Sequence, residues 1–455
     1  MVQQHPAELL GSVAGAGPYD VAESAAADQT GHGRSNMIGT RIRFAALALV
    51  AAILLTAGIA RAQNADLYLA PADGAYDPGA DFGSSAAISN HIAAVGAPGY
   101  GQVLSSSDSP PYVGVVNVYT TDAKRTTWTL TQVLHAGSAT SEYYFGSGVA
   151  LSDNRLVVTS ASFVWIYENG PEGFVLRDRF SASAASSNII FQGDVLAFHQ
   201  QLPNKPEVVV VYRVNERCKA RLVSILDPPS GGSLGGEIAF DPTRQTFAIG
   251  GGSGNAGDPG DVYFFALRGD HWAYQETLQA PSTTASGFGT GVSLWGKRLV
   301  VGAPFEDFLY EDRGDLIVNS GVVHVYRRER GQWVQTQTIS TADPTSPVYG
   351  LVDFGSALAT NGPFVWITAP QANDQHYSVV QAGYSSLFRW DKGQLNIFKK
   401  EAAFTSGGGL DMSRRYVIEG FVYIFIQQQS ATIVDLKLLE GSRTPTASDG
   451  SAETE

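Results

Sequence analysis

The chain has 455 residues, 44% of them hydrophobic and 16% charged, with 50 glycines and 21 prolines. That length supports a large core, and so much glycine and proline points to many turns. A net charge of −13, from 30 basic and 43 acidic residues, argues against a nucleic-acid partner because an acidic surface repels phosphate. The single cysteine, Cys218, cannot close an intrachain disulfide, and as a strand residue it reads as a packing thiol with no chemical role.

Residues 1–36 carry Glu8, Asp20, Glu23 and Asp28 and read as an extension ahead of a true start at Met37. Met37 opens a basic stretch with Arg41 and Arg43, followed by the apolar run Phe44–Ala60 and the small residues of Ala60-Arg61-Ala62. That is the layout of a signal peptide over 37–62, and its apolar run is at the short end for a bilayer span. An uncleaved signal-anchor is the alternative, and the one reading in which the chain meets a membrane. Both place residues 63–440 outside the cytoplasm, secreted or at a cell surface or in a periplasm. No cysteine follows the cleavage site to carry a lipid, and residues 441–455 read as a disordered polar tail.

Downstream, aromatic and β-branched residues cluster in short runs that favour strands. One segment recurs without gaps: FGSSAAISNHIAAVGAP (Phe82–Pro98), FGSGVALSDNRLVVTSA (Phe145–Ala161) and FGTGVSLWGKRLVVGAP (Phe288–Pro304). FGSALATNGPFVWITAP (Phe354–Pro370) keeps the frame, and weaker copies begin at Leu234, near Phe191 and at Gly407. Starts near 82, 145, 185, 234, 288, 354 and 404 give seven units spaced by 40–66 residues.

Each unit reads as four strands, a to d. Strand a holds the Phe-Gly segment and strand b runs like RLVVGAP; strand c is exemplified by VVNVYT (Val115–Thr120) and VVHVYR (Val322–Arg327). Strand d follows a short hairpin, as in WTLTQVL (Trp128–Leu134). The expected fold is therefore all-β, a seven-bladed β-propeller of four-stranded antiparallel blades over residues 63–440. Two segments compete for the outer strand of the last blade, ADLYLA (Ala65–Ala70) and TIVDLKLL (Thr432–Leu439).

These repeats resemble the FG-GAP repeats of the integrin α-subunit propeller, over roughly Leu67 to Leu439. Both signatures are intact at Phe82-Gly83 with Gly96-Ala97-Pro98 and at Phe288-Gly289 with Gly302-Ala303-Pro304. The integrin type carries a calcium loop rich in aspartate between strands a and b. Here that connection is SNH, SDNR or WGK, too short and too poor in carboxylates for six to eight oxygen ligands. The resemblance thus implies a compact, calcium-free secreted variant with no metal and no cofactor.

Strand alternation puts the short a–b and c–d turns at one end and the longer b–c and d–a loops at the other. Binding usually lives on long loops of a rigid scaffold, and the ligand candidates there are Tyr100, Tyr112, Phe305, Asp307, Tyr310, His376 and Tyr377. The competing role of each is to pack its loop onto the scaffold. Asp81 and Asp353 precede the Phe-Gly of two units, at the expected channel mouth; local capping of strand a is their expected role, with a weak cation site as the alternative.

No Gly-x-Ser-x-Gly or His-Glu-x-x-His motif occurs, and GFGTG (Gly287–Gly291) precedes no helix that could cradle phosphate. Strand a is built of small residues, with Glu237 and Asp411 as acidic exceptions. The tripeptide Arg-Gly-Asp occurs twice. Arg268–Asp270 falls in a c–d turn, while Arg313–Asp315 lies in a b–c loop among Glu306, Asp307, Glu311 and Asp312. Chance accounts for both better than adhesion does. The expectation is a monomeric binding or adhesion module for a protein or glycan, without catalysis. An extracellular carbohydrate-active hydrolase or lyase and a passive structural module are the alternatives.

Overall fold

The computed structural model describes residues 66–69, 80–100, 113–123, 127–136, 143–182, 188–203, 205–229, 232–251, 259–310, 315–317, 319–340, 353–369, 384–401, 417–419, 422–427 and 430–435. The expectations for residues 1–36, 37–62 and 441–455 lie outside these, as do Tyr112, His376, Tyr377 and Asp411. The described residues form strands and connections, with no helix among them.

After β1 (Asp66–Leu69) come six four-stranded antiparallel sheets in chain order. The first holds β2 (Ser85–Ser89), β3 (Ile92–Ala97), β4 (Val115–Thr121) and β5 (Trp128–His135). The second holds β6 (Gly148–Ser152), β7 (Arg155–Thr159), β8 (Phe163–Gly170) and β9 (Gly173–Ser181). The third holds β10 (Ile189–Gln192), β11 (Val195–Gln201), β12 (Glu207–Val214) and β13 (Ala220–Leu226). The fourth holds β14 (Ile238–Asp241), β15 (Thr246–Gly250), β16 (Asp261–Arg268) and β17 (His271–Gln279).

In the fifth, β18 (Val292–Trp295) and β19 (Arg298–Ala303) are followed by a separate hairpin, β20 (Phe308–Tyr310) with β21 (Asp315–Ile317). The sheet then resumes with β22 (Val322–Glu329) and β23 (Gln332–Ser340). The sixth holds β24 (Leu358–Asn361), β25 (Phe364–Ala369), β26 (Tyr384–Asp391) and β27 (Gln394–Glu401). A last sheet combines β28 (Val417–Glu419), β29 (Val422–Gln427) and β30 (Ser430–Asp435) with β1, in the order β1-β30-β29-β28.

Between the two segments that competed for its outer strand, the N-terminal one holds the edge. Asp66 pairs with Val434 and Leu69 with Ala431. The C-terminal strand β30 is third in that sheet and β1 is fourth. Cys218 is also placed differently, in the turn between β12 and β13 rather than on a strand. It is fully buried there, and desolvation raises its thiol pKa.

Local chemistry explains the turns. Five a–b connections have two residues, and the first of each adopts a positive φ: Asn90, Asp153, Gly193, Gly296 and Gly362. Asparagine, aspartate and glycine tolerate that region best, so the hairpins close through backbone conformation. Gly269 of the first Arg-Gly-Asp serves the same purpose in the β16–β17 turn, at φ 67°.

The apolar cores lie between neighbouring sheets. Ala87, Ala94, Val116 and Val118 of the first sheet pack with Phe145, Leu156, Val158 and Trp165 of the second, and the pattern recurs from sheet to sheet. The first strands also touch in order, β2 with β6, β6 with β10, β10 with β14, β14 with β18 and β18 with β24.

The recurring Phe-Gly and Gly-Ala-Pro segments serve two joints. Within a sheet, the Phe-Gly glycine N–H donates to the fifth residue of strand b: Gly83 to Gly96, Gly146 to Thr159, Gly289 to Gly302 and Gly355 to Thr368, at 2.8–3.0 Å. Between sheets, the glycine of strand b answers to the Phe-Gly of the following sheet. A Cβ on Gly96 would run into the carbonyl oxygen of Gly146, on Gly250 into that of Gly289, and on Gly302 into that of Gly355. A second glycine just before strand c completes two of these sockets: at Gly114 a Cβ would meet the backbone of Phe145, and at Gly321 that of Phe354.

The fourth sheet shows which partner matters. It lacks Phe-Gly itself yet carries Gly250, because the fifth sheet supplies Phe288-Gly289. The second sheet has its own Phe145-Gly146 but Thr159 in strand b, and no Phe-Gly follows in the third. In the third sheet His199 holds the glycine place and its Nε2–H donates to the carbonyl of Gly236 at 2.9 Å.

A polar clamp joins the outer strands. In six c–d pairs a register shift leaves one extra residue on strand d, a β-bulge that re-aims the side chain after it. Gln132 accepts from the N–H of Phe174 at 2.7 Å and donates to its carbonyl at 3.0 Å. Gln337 does the same to Leu395, both at 2.9 Å. Asp178 accepts from Ala220 N–H at 3.0 Å and Ser224 from Trp272 N–H at 2.7 Å. Burial pushes the Asp178 carboxyl up, but the bonds from Ala220 and Lys219 outweigh it and hold the pKa below its ordinary value.

Two stability measurements check these joints. Gly302→Ala is expected to destabilise by about 1–3 kcal/mol from overpacking, against about 1 kcal/mol for Gly269→Ala, where no atom crowds the Cβ. Equal urea midpoints for the two variants would mean the sheets do not meet as closely as described. Gln132→Ala and Gln337→Ala should each cost about 1–2 kcal/mol and add when combined, since the two clamps share no partner.

Candidate functional site

The loop end of the sheets is where strand a begins and the b–c and d–a connections gather. Each Phe-Gly there is preceded by a residue at positive φ: Asp81 at 52°, Tyr144 at 62°, Gly287 at 75° and Asp353 at 48°. Its carbonyl accepts both the N–H and the hydroxyl of the residue three positions on, namely Ser84, Ser147, Thr290 and Ser356. Asp81 and Asp353 thus cap strand a as expected locally, but through the main-chain carbonyl rather than the carboxylate. The same bond forms with tyrosine or glycine in their place.

The hairpin β20–β21 is the most elaborated described loop. Its root is tied down by three residues. Glu306 accepts from the N–H of Gly321 at 3.1 Å and the hydroxyl of Ser320 at 3.4 Å through its carbonyl. Its carboxylate lies 2.7 Å from Nε2 of His324, which is buried in β22. Gln335 donates to the other ring nitrogen at 3.1 Å, so the imidazole presents Nε2–H to the carboxylate. Asp307 accepts from Asn319 N–H at 2.8 Å and closes the hairpin base. The buried Tyr326 phenol has its pKa raised by desolvation and by the charge of Glu306.

These contacts sort the sequence candidates. Asp307 works inside its loop. Phe305 donates its N–H to Ser286 at 3.2 Å and lays its half-buried ring over Gly287. Tyr100 is half-buried against the core of the first sheet. Both serve packing, the competing role. Tyr310 ends β20 and Asp315 begins β21.

Two features escaped sequence reasoning. Tyr143 and Tyr144, 40% and 43% exposed, form an aromatic pair at the loop end, with Tyr144 at a φ where bulky residues are strained. Asp and Gly at the matching positions of other repeats were the available signal. Glu237, marked only as an exception in strand a, reaches two sheets beyond its own. Its Oε2 accepts from the N–H of Val292 at 3.0 Å and of Leu358 at 3.1 Å, bringing the fourth, fifth and sixth sheets together at their first strands.

A cleft of about 500 Å³ opens beside the start of β16, lined by Ser233, Asp261, Tyr263, Gln279, Ser282 and Thr283 among others. The described residues contain no group of three or more His, Cys, Asp or Glu placed to hold a metal ion.

No family model matches the chain, and no curated protein matches it. Among solved structures it is similar to the S. cerevisiae complex of Dbp5 with Nup159, Gle1, IP6 and ADP, at 10% identity over 82% of this chain and 94% of that one, with a TM-score of 0.45. A candidate 6-phosphogluconolactonase from Bacteroides uniformis aligns at 11% identity over 70% and 84%, TM-score 0.44. Sqt1 of Saccharomyces cerevisiae aligns at 9% identity over 79% and 97%, TM-score 0.43. Likenesses of this order decide neither activity nor partner.

Two measurements probe the loop end. His324→Ala leaves the Glu306 carboxylate in a largely buried place without its imidazole, which should cost about 2 kcal/mol and open residues 308–317 to proteolysis. Unchanged cleavage rates would release the hairpin from that anchor. Burial pushes the Asp353 carboxyl up to about 6, above the ~3.9 of an unfolded chain. The folded state therefore holds that proton more tightly, and stability falls as pH rises from ~4 through ~6. Asp353→Asn should gain more stability near pH 7 than near pH 4, read from denaturant midpoints at the two values.

Proposed function

We propose that the four-stranded sheets close into a seven-bladed β-propeller of the FG-GAP type, exported from the cytoplasm, that binds a macromolecular partner at its loop end and performs no catalysis. Two contacts support closure: β24 touches β28, and β28 touches β2. With β1 paired to β30, the first and last strands of the chain would share one blade.

The observation that carries the binding reading is the root of the β20–β21 hairpin. The fifth sheet needs no such excursion, since the corresponding b–c connection of the second sheet spans only residues 160–162. Yet the hairpin is held by a buried carboxylate–imidazole contact and an Asp307–Asn319 bond. Pairing buried ionisable groups gains little stability over an apolar core, so the arrangement serves to fix the direction in which the hairpin points. Preorganised loops bind with less loss of conformational entropy. The exposed Tyr143 and Tyr144 lie at the same end, and tyrosine supplies large contact area at few rotatable bonds.

The test is a screen of the full chain against an extracellular-protein array and a glycan array, repeated with Tyr310→Ala/Tyr377→Ala and with Arg330→Ala in the opposite turns. Binding that drops at least ~10-fold in the tyrosine variant and persists in the arginine variant supports the loop end. The reverse pattern places recognition at the turn end and overturns the reading.

A further inference from the structure

The cleft beside β16 has the chemistry of a specific ligand class. Asp261 opens β16 and pairs directly with Gln279 at the end of β17, so their side chains stand side by side on one face of the sheet. Tyr263, two residues along, shares that face. Its ring is buried at 5% exposure, and its hydroxyl donates to Asp261 Oδ2 at 3.2 Å. The tyrosine thereby restrains the carboxylate, and both residues line the cleft. Ser233 reaches the cleft from the segment before β14, and Ser282 and Thr283 from the segment after β17.

This lining excludes most ligands. An apolar molecule would face a lining of carboxylate, amide and hydroxyl groups and bury them against carbon. An anion would meet Asp261 in a chain of net charge −13. A divalent cation needs more carboxylates than one. What fits is an uncharged molecule dense in hydroxyls. The carboxylate accepts from adjacent hydroxyl groups, the Gln279 amide both donates and accepts, and the serine and threonine hydroxyls do either. A volume of about 500 Å³ lies within the range of small-molecule sites.

We propose that this cleft binds a neutral sugar unit, with Asp261 and Gln279 as the paired contacts to its hydroxyls. The cleft belongs to the loop end, so the proposal rests on the binding reading above and narrows it to a glycan at this position.

The experiment titrates the full chain with a panel of neutral mono- and disaccharides, by calorimetry and by saturation-transfer NMR, at low and high salt. Wild type is compared with Gln279→Ala, Asp261→Asn and Arg330→Ala. Gln279 is exposed and its loss leaves the sheet intact, so that variant stays informative if Asp261→Asn fails to fold. The expected result is binding of at least one sugar, weakened ~10-fold or more by Gln279→Ala, unaffected by Arg330→Ala and insensitive to salt. Absence of binding across the panel overturns the proposal, as does binding that ignores Gln279→Ala. A Lys/Arg-rich peptide that binds through Asp261 and is released by salt would reassign the cleft to a cationic protein segment. If macromolecular capture through Tyr310 and Tyr377 persists without sugar binding, only the cleft assignment falls. If capture maps to the turn end, both fall.

Discussion

Contact between one sheet and the next is made backbone to backbone. The carbonyls of Gly146, Gly289 and Gly355 lie where a side chain of the preceding sheet would begin, so Gly96, Gly250 and Gly302 leave no alternative residue. That approach draws the first strands together and buries them, as Ser85–Ser89 and Val292–Leu294 illustrate. The phenylalanine of the same dipeptide then fills the space behind, Phe145 edge-on to Trp165 at 4.9 Å and Phe288 against His324 at 5.6 Å. Close inner spacing and a bulky wedge behind it are two sides of one joint. Where the joint is missing, as between the third and fourth sheets, a side-chain bond from His199 spans the gap to Gly236.

The sheets are tied at three depths. Glu237 gathers three sheets at the beginning of their first strands, the glycine sockets act beside it, and the bulge-directed clamps of Gln132, Asp178, Ser224 and Gln337 act at the periphery. Glu237 and the clamps satisfy main-chain groups that strand pairing within a sheet leaves open, which matters because a buried unpaired amide is expensive. With position fixed at all three depths, the loops can differ in length and composition without disturbing the frame. A short 160–162 connection and the β20–β21 hairpin sit on equivalent strands.

Much of the strand layout was legible, because valine-rich runs and two-residue turns are local signals. VVVVYR and VVHVYR announce third strands by their composition, and Asn90 or Gly296 announce turns by their conformational tolerance. The sockets were not legible, since a repeat alignment stacks Phe-Gly with the glycine of its own unit while the steric partner lies in the unit before. The clamps were hidden for another reason: Gln, Asp and Ser perform one task and share no side-chain type. At the site, the aromatic criterion selected Tyr100 and Phe305, which the fold uses for packing, and passed over the exposed Tyr143 and Tyr144, of which Tyr144 takes the positive φ found before each Phe-Gly. His324 sits unmarked inside VVHVYR, and its role appears only with Glu306 beside it.

The pairing of β1 with β30 has a kinetic consequence. These strands are separated by almost the entire described chain, so their ladder is among the least local contacts a polypeptide of this length can make. Every other sheet can assemble from its own neighbourhood as synthesis proceeds. The last must wait, its outer edge bare, until the C-terminal strands emerge and meet a segment made long before. An unpaired edge of that kind is a template for association with other chains. The interval between making the two ends is therefore the time during which a growing chain is most exposed to aggregation, and a helper that shields β1 would act there.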